Sequence, residues 1–111
     1  MNNGIYAIYF SGLYGNGAGT LVLKDGVITG ADITGTTIDG DYQVEKDSIV
    51  GKLELNSPAG TVLVTGASHG SEPGVWPIPF NFPLDLGAGN PISLKTPTGP
   101  INVIFKKLRD L

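Results

Sequence analysis

All 8 prolines of this 111-residue chain lie from Pro58 onward, and the stretch before them holds ten of its 17 glycines. Proline has no N–H to give to a sheet ladder and is confined to edges, bulges and loops. The first half is therefore free to form a regular antiparallel meander, with glycine for its turns and bends, while the second half must be looser. Glycine and proline together stay just below the roughly 25–30% that marks low-complexity disorder. Hydrophobic residues make up 41% and the mean hydropathy is +0.12, enough to bury a core. Only 15% of residues are charged, against roughly 25% in an average domain. There is no Gly-X-Y period and no sustained heptad, which excludes collagen and coiled coil. One domain spanning 1–111 is the natural reading at this length.

Strand signals recur along the chain. Residues 5–10 (Ile-Tyr-Ala-Ile-Tyr-Phe) are aromatic and β-branched between Gly4 and Gly12, and 18–23 follow a Gly-rich turn. Asp25-Gly26, the strongest short-range hairpin signal, links 18–23 to 27–31. A run over 36–44 ends at the charged turn Glu45-Lys46-Asp47. Residues 49–55 alternate cleanly, with Ile49, Gly51, Leu53 and Leu55 on one face and Val50, Lys52 and Glu54 on the other. Further strands are expected at 61–65 and 101–106. Around 75–84, Pro77, Pro79 and Pro83 interrupt an apolar run, which reads as an edge strand or a covering loop. No window shows a helical period longer than about two turns. Seven to nine short strands give an all-β antiparallel barrel or sandwich, and in-strand Gly19, Gly30 and Gly51 favour the strongly curved barrel.

Charge and composition narrow the function classes. Between Asp25 and Glu54 seven acids face only Lys46 and Lys52, and the net charge is −3. With seven basic residues in the whole chain, direct nucleic-acid binding is not expected. The absence of cysteine excludes disulfides, thiolate metal sites and Cys nucleophiles. Met1-Asn2-Asn3-Gly4 has no signal-peptide character and no apolar run approaches a membrane span. A cytoplasmic, membrane-independent protein is the expectation.

Motifs that resemble chemistry resolve into plainer readings. Gly15-Asn16-Gly17-Ala18-Gly19 lacks both the spacing and the following helix of a dinucleotide loop, and reads as a hairpin loop. Asp39-Gly40-Asp41 starts like a calcium loop, but Val44 stands where the turn needs glycine, so it reads as a solvated turn. His69, the only histidine, stands near Ser68, Ser71 and Glu72 without a Gly-x-Ser-x-Gly elbow, and reads as an exposed loop residue. No enzymatic activity, cofactor or metal is expected. Tyr6, Tyr9, Phe10, Tyr14, Trp76, Phe80, Phe82 and Phe105 either pack a core or line a ligand cavity. A calycin-type Gly-x-Trp would stand near the first strand, far from Trp76. Val75, Trp76, Ile78 and Phe80 form a candidate dimer or ligand surface.

The first half resembles the GrlR-like negative regulators of type III secretion, named after the global regulator of LEE repressor. Three stretches carry the likeness: Gly4-Ile5-Tyr6-Ala7-Ile8-Tyr9-Phe10, the hairpin from Gly17 through Leu23 and Asp25-Gly26 to Gly30-Ala31-Asp32, and Asp39-Gly40-Asp41-Tyr42. The resemblance covers about residues 3–56. It implies an up-and-down, lipocalin-like β-barrel that forms a homodimer, has no enzymatic activity and blocks a transcriptional activator by binding it. In that family the contact is attributed to four alternating acids in a strand-connecting turn. Here the turn is Glu45-Lys46-Asp47-Ser48, so Glu45 and Asp47 carry over while Lys46 and Ser48 interrupt the acidic run. The expected function is thus sequestration of a basic partner such as a transcriptional activator. The alternative is a carrier holding a small apolar or lipid-like ligand inside the barrel.

Overall fold

Alternation of apolar and polar residues, with glycine at the inward positions of greatest curvature, dictates a sheet that bends back on itself. The computed structural model describes residues 3–111 and shows eight antiparallel strands in a nearly closed barrel. They are β1 (Gly4–Gly12), β2 (Gly15–Lys24), β3 (Val27–Asp32), β4 (Thr37–Glu45), β5 (Ser48–Ser57), β6 (Gly74–Pro83), β7 (Ile92–Thr96) and β8 (Gly99–Asp110). The sheet order is β6-β5-β4-β3-β2-β1-β8-β7. The chain thus winds as a meander through β6, and β8 returns to pair with β1. No helix among the described residues is long and apolar enough to cross a membrane.

The turn chemistry does what the residues call for. Asp25 (φ 51°) and Gly26 (φ 85°) supply the two positive-φ positions of a tight hairpin between β2 and β3. Asn3 braces it: its Nδ2 donates to Asp25 Oδ1, and its Oδ1 accepts from the Asp25 N–H, each at 3.1 Å. Tyr42 Oη donates to the same Asn3 Oδ1 at 3.0 Å. In β5, Ile49, Gly51, Leu53 and Leu55 face the interior and Lys52 and Glu54 face water. Gly51 faces inward where a Cβ would strike the backbone of β4, so the sheet curves there because no side chain stands between the strands.

The second half departs from the sequence reading in two places. Residues 61–65 are not a strand. They belong to the long β5–β6 connection, which folds on itself through Leu63 N–H to Ala67 O and Gly66 N–H to Leu63 O, both 2.8 Å. The edge of β5 that such a strand would need is taken by β6, paired over its whole length from Ser57↔Gly74 to Ser48↔Pro83. Conversely, 92–96 form β7 on the outer side of β8. The proline-interrupted run is an edge strand, β6. Its three prolines are separated by even numbers of residues, so the positions without an N–H share one edge, and the sheet order leaves one edge of β6 without a ladder partner.

The interior is filled at one end and hollow at the other. Around the β2–β3 turn, Tyr6, Leu23, Ile28, Tyr42 and Ile49 are buried, joined by Leu86 from the β6–β7 connection. Phe82 stacks on Phe80 at 4.6 Å and meets Phe105 edge-on at 5.1 Å. Burial pushes the Tyr6 phenol above the usual tyrosine range, partly offset by the Lys107 ammonium 5.8 Å from its ring. A raised phenol favours the folded state below about pH 10 and stops doing so as pH climbs through its native pKa. Stability should therefore hold up to about pH 10 and fall as pH climbs from there toward the native pKa, less steeply in Tyr6→Phe. Denaturant midpoints across alkaline pH check this, and equal alkaline loss in both proteins would assign it to other groups.

Candidate functional site: a strapped apolar cavity

The hollow end is where the β1–β2, β3–β4 and β7–β8 turns gather and where the β5–β6 connection crosses. Inward positions of β2 and β3 near this mouth are Gly17, Gly19 and Gly30, so these two strands send little side chain into the space. The remaining volume is about 160 Å³. Ile8, Phe10, Leu53, Leu55, Ile78 and Ile101 form much of its wall, and the 61–65 segment contributes Leu63 and Val64 as a roof.

This segment is a strap tied to two neighbouring turns of the mouth, β1–β2 and β7–β8. The Tyr14 N–H donates to Val64 O at 2.8 Å. Beside it, the Thr65 and Thr98 hydroxyls share a hydrogen bond of 3.1 Å. At the foot of the strap, Trp76 Nε1 donates to Ser57 Oγ at 3.0 Å, and the His69 ring rests on the Trp76 indole with centroids 4.3 Å apart. His69 is exposed, as expected for a loop residue, yet its ring is packed on a partner.

Most of the polar side chains at the mouth are engaged within the protein. Thr96 Oγ1 donates to Gly99 O at 2.6 Å. Asp32 Oδ1 accepts from the Thr34 N–H at 2.8 Å, the Thr34 hydroxyl at 2.6 Å and the Thr36 N–H at 3.2 Å. Among the described residues no buried side-chain nitrogen or oxygen lacks a hydrogen-bond partner. The cavity thus offers a guest apolar contact, and a guest need bring no hydrogen-bonding group of its own.

The residues singled out from the sequence fall elsewhere or are divided. Glu45, Lys46 and Asp47 are exposed at the β4–β5 turn, with Ser48 half-buried beside them, at the end of the barrel away from the mouth. Of Val75, Trp76, Ile78 and Phe80, period-two alternation sets only Val75 apart; the other three share the inner face, and Ile78 lines the cavity. Val75 points outward, Trp76 is half-buried, and Ile78 and Phe80 are buried in the interior. Of the other aromatics, Tyr6, Phe82 and Phe105 are buried and Phe10 lines the cavity, whereas Tyr9 and Tyr14 project outward. Asp39-Gly40-Asp41 is not a turn but lies inside β4, both carboxylates facing water. Among the described residues no group of three or more His, Cys, Asp or Glu could hold a metal ion.

Fold and site together define a small antiparallel β-barrel with a strapped apolar cavity at one end. No protein-family model matches the chain, and no curated protein matches it.

Proposed function

We propose that this protein is a non-enzymatic binding barrel that takes a small apolar ligand into the cavity under the strap. The cavity carries this reading: about 160 Å³ walled largely by aliphatic and aromatic side chains, with the Asp32 carboxylate and the Thr34, Thr65, Thr96 and Thr98 hydroxyls at its rim hydrogen-bonded within the protein. A dry apolar void of roughly this size, about 150 Å³, is enough to bind benzene. The ligand class is a molecule or moiety on the scale of one aromatic ring or a short alkyl chain. Benzene should raise the melting temperature of the wild type in a saturable way. Leu55→Phe, which extends a wall residue into the space, should fold and lose that shift. A wild type insensitive to saturating benzene would remove the carrier reading.

A second reading, sequestration of a basic protein partner, has its own observation. Asp39 of β4 stands directly opposite Glu54 of β5 on the outer face, and like charges so placed destabilise a sheet. With Asp41, Glu45 and Asp47 they give this side of the barrel an acidic field suited to steering a basic partner. By the family resemblance, that partner is a transcriptional activator of type III secretion and the barrel acts as a cytoplasmic homodimer. Recovery of a basic partner in a pull-down should drop for Glu45→Lys/Asp47→Lys; unchanged recovery would take the acidic turn out of consideration.

A further inference from the structure

The large apolar side chains that the barrel leaves most exposed are not scattered. Leu13, Ile33, Tyr14 and Val62 expose 84, 78, 75 and 61% of their surface. Leu13 and Tyr14 form the β1–β2 turn, Ile33 lies in the β3–β4 connection and Val62 in the strap. All three loops surround the cavity mouth. Loop tips ordinarily carry Gly, Asn, Asp or Ser, so apolar tips on three separate loops at one end call for a reason.

Charge is distributed in the complementary way. Residues 10–19, 33–38, 55–71 and 96–103, which build the mouth end, contain no Lys, Arg, Asp or Glu. The nearest charges are Asp32, whose Oδ1 is held by Thr34 and Thr36, Lys95, which points outward from β7 beside Thr96, and Glu72 in the same connection as the strap. Lys106, Lys107, Arg109 and Asp110 stand at the far end of β8, and the wall exposes Asp39, Asp41, Lys52 and Glu54.

We infer that the mouth end of the barrel docks end-on onto an uncharged lipid surface, with Leu13, Tyr14, Ile33 and Val62 entering the interfacial layer. The charged wall keeps the barrel itself in water, so only the tips enter. Tyrosine, with an apolar ring and a polar hydroxyl, suits that depth. A protein partner would be met by a polar, hydrogen-bonding rim around an apolar centre. Here the centre is the cavity mouth and the projecting tips around it are apolar, while the Asp32 carboxylate and the Thr34, Thr65, Thr96 and Thr98 hydroxyls are hydrogen-bonded within the protein, the arrangement expected where the opposing phase is hydrocarbon. Docking needs only the rim. Passage of a chain or small apolar molecule from the lipid to the space beneath the strap is a separate step, and that step rests on the cavity reading.

Co-sedimentation with phosphatidylcholine vesicles tests the inference. The wild type should pellet with the vesicles, and added salt should leave binding unchanged because no ion pairing is involved. Leu13→Asp/Ile33→Asp alters two exposed tips and should reduce binding at least about tenfold while keeping the wild-type melting temperature. Lys106→Glu, at the other end, should bind like wild type. A wild type that stays in the supernatant, or a double variant that binds as well as wild type, would overturn the inference. So would sedimentation velocity showing a dimer that the double variant loses without vesicle binding, since the rim would then join two copies. The benzene-induced shift, measured without vesicles, reports on the cavity separately. Its loss with vesicle binding intact would remove the carrier reading and leave the docking surface.

Discussion

Gly51→Val is expected to unfold the barrel or to cost at least about 3 kcal/mol, the upper end of ordinary overpacking. A Cβ at Gly51 would overlap Asp41 O and stand 2.9 Å from Tyr42 Cα and 3.0 Å from Asp41 C. All three are backbone atoms of β4, so no rotamer change relieves the clash and the two strands must part. The ladder between them runs from Thr37↔Asn56 to Glu45↔Ser48, which spreads the disturbance over the most regular part of the sheet. With total stability of about 5–15 kcal/mol for a typical domain, such a loss leaves little. Urea unfolding followed by circular dichroism measures it, with exposed Lys52→Ala as the neighbouring control, expected within about 0.5 kcal/mol of wild type. A Gly51→Val protein as stable as the control would show that the curvature here does not depend on the missing side chain.

Phe82→Ala should cost about 3–5 kcal/mol, the usual range for removing a buried aromatic ring. Phe82 is buried between Phe80 and Phe105 and also borders the cavity. Its removal therefore joins the void left by the ring to the existing space. A second effect has the opposite sign: the enlarged cavity should take bulkier apolar guests than the wild type does. Melting temperatures with benzene and with naphthalene separate the two effects. Wild type should gain more from benzene, and the variant, though less stable, should gain more from naphthalene. A variant destabilised as expected but blind to both guests would mean that the barrel had collapsed into the void.

Much of this fold was legible from local chemistry. Ile49 to Leu55 alternate without a break, so the face they bury could be read directly, and Asp25-Gly26 marked its hairpin because few pairs tolerate two positive φ values. Residues 61–65 misled because a β-branched run reports a willingness to be extended, not whether an open sheet edge exists; β6 had taken that edge. Ile92 to Thr96 escaped notice because Pro91 and Pro97 flank a run of only five residues. The charged turn at Glu45 was readable since solvation alone places such residues outside. The cavity was not, because it lies between Phe10, Leu55 and Ile101, residues brought together only by closure. Its nearest trace in the sequence was the set of small inward residues, Gly17, Gly19 and Gly30, which read equally well as bends.

The three prolines of β6 have a consequence for how this protein behaves in a crowd. A barrel whose border strands, β6 and β7, do not pair presents two raw borders, each a template on which another chain could crystallise into fibre. Along β6, every second residue but one on that border from Pro77 to Pro83 lacks the proton that a growing cross-β stack would need. The other border, β7, offers only five residues. The seam can therefore stay unsealed without becoming a seed, and the molecule keeps an opening in its wall while remaining a poor template for its own polymerisation.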